Sequence, residues 1–407
     1  MHKNPSQSGQ SASTDAVNQK PRERSFASLN FLRGLSAAAV LVSHTAYHVS
    51  NGQPILAFNW GGLAVDVFML ISGFLMMWHF YERQAVGETW GAPQTCLKFY
   101  IRRFFRIAPL YYSLLILFYV FYNGLSHLAA QNQLVFQPPY TPGPNDPTST
   151  TPTIGHILAH FSFAFGFIPR FAASTAMPDW SIGLEMQFYL FFPFIAIFLV
   201  RSQFIWGAVV LLASKLVALQ LFGLGVGAEP KVFGLFPYAT LLPFKIDCFL
   251  VGILIAAALY ERDSLAKRAF LLLLGLLVAA FYTKKFALIC FVFITYELAT
   301  TYGTGLPPFD RLVKKTSRII EHRLFRFMAD ASYGVYLIHM PLLVLVVWAL
   351  THVSHFAQLS PKLRLLVGLA VITPIVYSLA FLAFKYIESP GIKWGRTILK
   401  KIKPATP

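Results

Sequence analysis

The chain has 407 residues, of which 56% are hydrophobic, 16% are aromatic and only 13% are charged. Its mean hydropathy of +0.56 excludes an ordinary soluble protein, which could not bury so much apolar surface. The net charge of +17 could indicate a nucleic-acid partner, but the basic residues lie between membrane-length apolar runs, where membrane topology explains them. We therefore expect an all-α polytopic membrane protein, with membrane lipids as partners and no nucleic acid.

Residues 1–24 are polar and rich in Ser and Gln, which predicts a disordered cytoplasmic tail. Because this polar stretch precedes the first apolar run, and because Arg33 and His44 interrupt that run, we interpret the run as an uncleaved anchor and not as a signal peptide. We expect a membrane domain over residues 25–392 and a basic cytoplasmic tail over residues 393–407.

The first apolar run, "FLRGLSAAAVLVSHTAYH", contains an arginine and two histidines. Eleven residues at about 100° each bring His44 to within about 20° of the helix face of Arg33, roughly 16 Å further along the axis. Ionisable groups at such depth are costly, so they normally line a cavity or pair with each other. The alternative is a lone histidine bonded to a neighbouring hydroxyl.

Lysines and arginines set the predicted topology of the apolar runs. If the ambiguous stretch 154–168 does not cross, 24 of the 34 basic residues lie on the side of both termini, six lie on the other side and four lie within runs. The positive-inside bias then predicts about ten transmembrane helices, with both termini in the cytoplasm and 154–168 as a re-entrant or interfacial segment. The predicted spans are residues 29–49, 60–80, 107–127, 180–200, 204–223, 240–260, 269–283, 286–303, 332–351 and 364–386.

Polar side chains also occur in the later runs. Asp66 and Ser72 lie about 240° apart on one helix, so a single straight face cannot present both. Gly73 beside Ser72 indicates either part of a site or a close packing contact between helices. Lys245 and Asp247 predict an ion pair within their own segment.

Glu185 follows Ser181 by four residues and shares its helix face, near the predicted outer end. Asp179 precedes this helix, where we interpret it as an N-cap residue. In "FYIRRFFRIAPLYY", Arg103 and Arg106 share a face among aromatic residues. Paired guanidinium groups there suit a phosphorylated, ring-bearing ligand, although membrane topology alone could explain the charge.

Several common site patterns do not occur in the sequence. There is no GxGxxG, Walker A, CxxC or HExxH motif, and the three cysteines lie far apart without metal or redox spacing. We therefore expect neither a metal site, a structural disulfide nor a tightly bound cofactor.

Six segments carry a family resemblance: "FLRGLSAAAVLVSH", "AVDVFMLISGFL", "FYIRRFFRIAPLYY", "DWSIGLEMQFYLFFPF", "ASYGVYLIHMPLL" and "YIESP". They resemble, in order, the blocks of acyltransferase family 3, membrane acyltransferases that modify extracytoplasmic carbohydrates. The resemblance covers roughly residues 25–392. Two departures stand out: the acidic residue common before Leu-Arg-Gly is replaced around Asn30 and Phe31, and the late Glu-(Arg/Lys)-Pro is Glu388-Ser389-Pro390. We expect a stand-alone member, without the hydrolase-like domain fused to some relatives.

The resemblance implies roles for individual residues. The family's Arg-(ten residues)-His motif matches Arg33 and His44, and its Arg-x-x-Arg motif matches Arg103 and Arg106. Its Ser-Gly-Phe motif matches Ser72, Gly73 and Phe74, and its Trp-Ser…Glu motif matches Trp180, Ser181 and Glu185. We predict His44 as catalytic base or acyl carrier, with Glu185 as its catalytic partner. Predicted donor-binding residues are Arg33, Arg103, Arg106, Ser72, Gly73 and Phe74. Predicted acceptor-site or supporting residues are Asp66, Trp180, Ser181, Tyr333, His339 and Glu388.

The activity that the resemblance implies is transfer of an acyl group, most often acetyl, from cytoplasmic acetyl-CoA to a saccharide hydroxyl across a bacterial inner membrane. The partners would be acyl-CoA as donor substrate and a carbohydrate acceptor, whose identity the sequence leaves open, as it does the oligomeric state. The alternative function is a transporter or flippase for a glycan or lipid-linked intermediate. Against it, no internal repeat is evident in the sequence.

Overall fold

The computed structural model describes residues 26–50, 55, 60–136, 152–222, 236, 238–353 and 355–402. Over these ranges the chain is built of α-helices joined by short 3₁₀ and π turns. The predicted tail 1–24 lies outside the described residues. The helices are α1 (Ala27–Val49), α2 (Trp60–Ala85), α3 (Pro93–Phe136), α4 (Ile154–Phe161), α5 (Trp180–Arg201), α6 (Ile205–Leu221), α7 (Leu242–Tyr260), α8 (Leu265–Tyr282), α9 (Lys284–Tyr302), α10 (Pro307–Ile320), α11 (Arg323–Thr351), α12 (Pro361–Ala383) and α13 (Ser389–Lys401).

Eight helices in the described ranges are long and apolar enough to cross a membrane: α2, α3, α5, α7, α8, α9, α11 and the continuous rod of α12 and α13. This confirms the predicted all-α polytopic membrane fold. Each of the ten predicted spans overlaps a helix, although α3 and α11 begin well before their predicted spans. The other two, α1 and the 17-residue α6, are not among the eight, so the count of ten and the side of the termini stay predictions.

Helix α7 forms the centre of the bundle, since nearly all of its residues are buried. It crosses α2 with two glycines in the contact. A Cβ added to Gly73 would lie 2.1 Å from the carbonyl oxygen of Phe249, and one added to Gly252 would lie 2.1 Å from that of Leu70. The backbones therefore touch directly, as small residues allow in membrane helices.

A second cluster joins α1, α11 and α12. Apolar side chains such as Leu41, Val335 and Val376 bury one another there. Gly334 on α11 permits close approach of α12, because a Cβ on it would lie only 3.0 Å from Ala380. This packing holds the arginine and histidine of α1 beside α11.

The segment predicted as re-entrant contains only the eight-residue helix α4, followed by 3₁₀ turns at Ala164–Phe167 and Pro169–Phe171. Eight residues span about 12 Å as a helix, far short of the roughly 30 Å of a bilayer core. The segment is nevertheless packed into the protein, because His160 and Phe165 are fully buried. It therefore folds against α3 and α5 without a membrane-spanning helix of its own.

Helix α3 begins earlier than its apolar run predicts. It has 44 residues, about 66 Å of helix, and starts at Pro93 instead of near residue 107. Arg103 and Arg106 consequently lie inside a continuous helix and not in a loop. At the other end of the chain, α13 runs without a break across the predicted domain boundary at residue 393.

Candidate active site

Six helices, α1, α2, α3, α5, α7 and α11, enclose a cavity with about 860 Å³ of empty space, including its opening. Its wall is apolar except for a ring of arginines, hydroxyl groups and one carboxylate. The polar lining residues are Arg33, Ser72, Arg103, Arg106, Ser181, Glu185, Tyr189, Ser332, Tyr333 and Tyr336.

Helical spacing explains why these residues reach the same space. Ser181, Glu185 and Tyr189 are each four residues apart on α5, so they form one stripe along that helix. The two α3 arginines are three residues apart, as are the two α11 tyrosines, and each pair also shares a face. Helices α3, α5 and α11 therefore each add a polar stripe to the cavity wall.

The carboxylate of Glu185 is held by two donors. Ser72 Oγ donates a hydrogen bond to its Oε1 at 2.7 Å, and the phenol of Tyr189 donates to the same oxygen. The guanidinium of Arg103 lies 5.6 Å from the centre of the Tyr189 ring, at cation–π distance. These contacts link α2, α3 and α5 on the cavity wall.

Arg106 has a dedicated acidic partner. Its Nη1 donates to Glu388 Oε2 at 3.0 Å, and Glu388 is only 1% exposed. Glu388 closes a π-helical turn, Phe384–Glu388, between α12 and α13. By contrast, Arg33 and Arg103 have no ion pair at salt-bridge distance within the described part of the chain. The cavity therefore carries an excess of positive charge, which favours an anionic ligand.

His44 lies in a pair with a second histidine. Its Nδ1 is 2.7 Å from Nε2 of His339, and the two ring planes are only 6° apart. Nδ1 of the buried His339 lies 3.0 Å from the carbonyl oxygen of Val335. A carbonyl only accepts, so Nδ1 of a neutral His339 carries the proton and its Nε2 is an acceptor. His44 then donates from Nδ1, which leaves the lone pair of its Nε2 available.

This histidine pair adjoins the cavity through Tyr336. The Tyr336 ring, which lines the cavity, lies 6.0 Å from the ring of His339, and its hydroxyl is 2.6 Å from Ser181 Oγ. A general base or nucleophile needs such an unprotonated nitrogen, with the other ring nitrogen oriented by a third group.

A family model described as an acyltransferase domain matches residues 26–382 of the chain. The chain belongs to the acyltransferase 3 family. No curated protein and no solved structure matches it. The family resemblance is thereby confirmed, and together with the apolar helices it identifies a multi-pass membrane O-acyltransferase.

The acyltransferase brings most of its predicted site residues together. Around the cavity lie Arg33, Ser72, Arg103, Arg106, Ser181, Glu185 and Tyr333, with Glu388 behind Arg106. The predicted catalytic pair is arranged differently from expectation, since the group bonded to His44 is His339, while Glu185 is bonded to Ser72 and Tyr189. The roles of these residues stay predictions.

Four predicted residues lie elsewhere in the acyltransferase. Gly73 packs on α7, and the ring of Phe74 is edge-on to that of Phe26 in the core. Trp180 stacks on the half-exposed Tyr238, with ring centres 5.3 Å apart. Asp66 accepts hydrogen bonds from Lys245 at 2.7 Å and Tyr282 at 2.8 Å. Their functional roles also stay predictions.

One local prediction was wrong. Lys245 pairs with Asp66, and Asp247 pairs with Lys215, so the expected ion pair between Lys245 and Asp247 is replaced by two pairs between helices. Residues two apart on a helix point about 200° away from each other, which prevents the local pair. Asp179 is the N-cap residue of α5, as predicted, although its side chain makes no capping hydrogen bond to that helix.

A buried polar network was missed by the sequence reasoning. Asp179 accepts a hydrogen bond from Tyr111 at 3.2 Å and lies 3.3 Å from His160 Nδ1. Ser174 Oγ lies 3.3 Å from His160 Nε2 and 2.7 Å from His156 Nε2. Burial lowers the pKa of His156 to about 4. The two histidines four residues apart in "HILAH" were the available signal, because this spacing places them on one helix face.

Tyr189 and Tyr336 were also missed as cavity residues. Tyr189 continues the stripe of Ser181 and Glu185 by one turn, so its position was accessible from spacing. Among the described residues, no group of three His, Cys, Asp or Glu side chains could hold a metal ion.

Proposed function

We propose that the protein transfers an acyl group, most simply acetyl, from acyl-CoA to a hydroxyl of an extracytoplasmic or lipid-linked saccharide. The observation that supports this most directly is the adjacency of an arginine-rich cavity and a histidine with a free ring nitrogen. The first suits the phosphates of the donor, and the second suits acyl transfer.

The proposal that the cavity binds acyl-CoA rests on its arginines. Arg33 and Arg103 face the cavity without a direct acidic partner, so binding a phosphate there breaks no ion pair. Arg106 is already neutralised by Glu388 and would contribute mainly by orienting its neighbours. Charge-assisted bonds from guanidinium to phosphate are short, strong and often bidentate. The thin pantetheine arm would then extend through the cavity toward the histidine pair.

Two chemical routes use the same nitrogen. As a base, His44 Nε2 takes the proton of the acceptor hydroxyl while the oxygen attacks the thioester carbon. The C–S bond then breaks, and the thiolate receives that proton from His44. As an acyl carrier, Nε2 itself attacks the thioester carbon, and the C–S bond breaks to release the thiolate of CoA. The acceptor oxygen later attacks the acyl carbon, the C–N bond breaks, and the hydroxyl proton passes to the released Nε2 and from there to the thiolate. In both routes His44 becomes positively charged, and the hydrogen bond from its Nδ1 to His339 strengthens with that charge.

The distribution of basic residues supports the direction of transfer. With 24 of 34 lysines and arginines on the side of the termini, the donor arginines of α3 would open toward the cytoplasm, the source of acyl-CoA. The acceptor would approach from the opposite, extracytoplasmic side of a bacterial inner membrane.

Inverted membrane vesicles test the proposal. Vesicles that contain the protein should transfer label from radioactive acetyl-CoA, supplied outside, to an enclosed saccharide hydroxyl, and vesicles with His44→Ala should not. Right-side-out vesicles, whose donor side is inaccessible, provide the control for direction. Equal labelling by wild type and His44→Ala would contradict the proposed chemistry, and uptake of unmodified glycan without acetylation would favour a transporter.

A further inference from the structure

A second concave surface lies on the other side of α3. It is an open groove between α3 and α13 with about 1,230 Å³ of empty space, including the part open to the surroundings. Arg103, Arg106 and Ile107 of α3 face the arginine cavity, whereas a different stripe of the same helix faces the groove. That stripe consists of Phe104, Phe105, Ala108, Pro109 and Tyr112.

Two glycines bring α13 onto α3 to form this groove. A Cβ added to Gly391 would lie 2.6 Å from Pro109 Cγ, and one added to Gly395 would lie 2.8 Å from Phe105 Cβ. The adjacent face of α13, continued by the turn before it, lines the groove. Its residues follow one another at helical spacing, so they form one stripe. Its members are Tyr386, Pro390, Lys393, Trp394 and Thr397.

The groove changes character along its length. Tyr112 and Tyr386 lie toward the interior of the two membrane-spanning helices, and Trp394 and Lys393 lie toward the end of α13. The same stripe continues by a further turn to Lys400 and Lys401, both exposed. Tyr386 is 64% exposed and Trp394 is 70% exposed, so large aromatic surfaces remain uncovered. An aromatic groove that ends in lysines suits a molecule with an apolar chain and an anionic headgroup.

We propose that this groove binds an anionic phospholipid, with one acyl chain along the aromatic stripes and its phosphate at Lys393. The helices that form it are candidate membrane spans, and its Tyr112 and Tyr386 end lies within the predicted spans 107–127 and 364–386, which places Lys393 just beyond the apolar core. Trp and Tyr rings together with lysine at a helix end are the side chains that anchor at the headgroup level. A second copy of the chain fits less well, because a symmetric contact would place two lysine-rich stripes against each other.

Trp394 provides an intrinsic reporter for this site. The full chain is reconstituted in phosphatidylcholine nanodiscs that contain dibrominated phosphatidylglycerol or, at the same mole fraction, dibrominated phosphatidylcholine. The quenching of Trp394 itself is obtained as the difference in bromine quenching of tryptophan fluorescence between the wild type and Trp394→Phe. We expect stronger quenching by the anionic lipid, with a preference of about fivefold, equivalent to about 1 kcal/mol for one lysine near an anionic surface.

A matched pair of variants separates a site from general surface charge. Lys393→Gln should abolish the preference, whereas Arg396→Gln, which removes the same charge from an exposed α13 residue outside the groove lining, should retain it. Equal losses in both variants, or equal quenching by both lipids, would overturn the proposal. Shielding from both brominated lipids would indicate a second copy instead, and displacement by soluble glycerol phosphate would indicate a free-phosphate site.

Discussion

The histidine pair yields the sharpest prediction: replacing His339 should slow transfer without weakening donor binding. The substitution is His339→Phe, which keeps a ring in a fully buried site but removes the acceptor for His44 Nδ1. His44 then no longer has one favoured tautomer, and the charge that it gains during transfer loses its partner. The arginines that line the cavity are untouched.

The expected size follows from that single hydrogen bond. A hydrogen bond to a group that carries charge contributes about 1.5–3 kcal/mol, so its loss should lower kcat by about 10- to 150-fold. The KM for acyl-CoA should change little, provided that KM reports donor binding. His339→Gln should recover part of the rate, because the amide oxygen of glutamine can occupy the position of the imidazole Nε2 and accept the same bond.

The assay is acetyl transfer in inverted vesicles at saturating and at limiting acetyl-CoA, with thermal unfolding in detergent as a control for folding. Rates of His339→Phe within threefold of wild type, for a protein that remains folded, would refute the assigned tautomer. A Gln variant no faster than the Phe variant would show that His339 acts through packing alone. A parallel rise in KM would place His339 in donor binding.

Four further results are expected. His44→Ala should lower turnover by the 10²–10⁴-fold typical of a lost base. His48→Ala should lower it far less, because this second histidine of α1 lies about one turn beyond His44, and it is His44 that pairs with His339; acetyl-transfer rates at saturating donor will decide. Arg103→Ala should raise the apparent KM for acetyl-CoA by roughly 10- to 100-fold for one lost phosphate contact, whereas an unchanged KM would leave membrane topology as its only role. Cysteine introduced at Lys400, in a variant without other reactive cysteines, should be labelled from the cytoplasmic side only, and labelling from outside would reverse the orientation. Burial lowers the pKa of His156 in the folded state to about 4, below its ordinary value. The titration of His156 therefore leaves stability unchanged at neutral pH. It destabilises the folded state as the pH falls from about 6.5 toward 4, because the unfolded state binds the proton more tightly. His156→Gln should therefore flatten the melting temperature over that window, and an equally steep decline would assign acid sensitivity to other groups.

Helical periodicity was sufficient to predict much of the site from the sequence. Spacings of three or four residues correctly grouped Arg103 with Arg106 and Ser181 with Glu185, because each pair lies on one helix face. The apolar runs also located the helices. The start of α3 was missed, because its first turns are too polar to register as a membrane span.

What sequence reasoning could not provide was the pairing between distant helices. His44 and His339 are 295 residues apart, and Lys215 and Asp247 are 32 residues apart on different helices. Such contacts depend on how helices rotate and pack, which no local pattern encodes. Glu185 was expected beside His44 from the family motif and from its chemistry, but the structure shows its carboxylate bonded to Ser72.

The crossing of α2 and α7 affects how mutational data on this enzyme should be interpreted. Ser72 faces the cavity, while the adjacent Gly73 lies against the carbonyl of Phe249. A side chain at position 73 would push α2 off α7 and so displace Ser72 from Glu185. A scan that records activity alone would therefore score both positions as essential and suggest a two-residue binding motif. Thermal unfolding would distinguish them, since Gly73→Ala should lower the melting temperature and Ser72→Ala should largely spare it. In this enzyme, intolerance to substitution can mark the residue that sets a helix position as readily as the residue that meets a ligand.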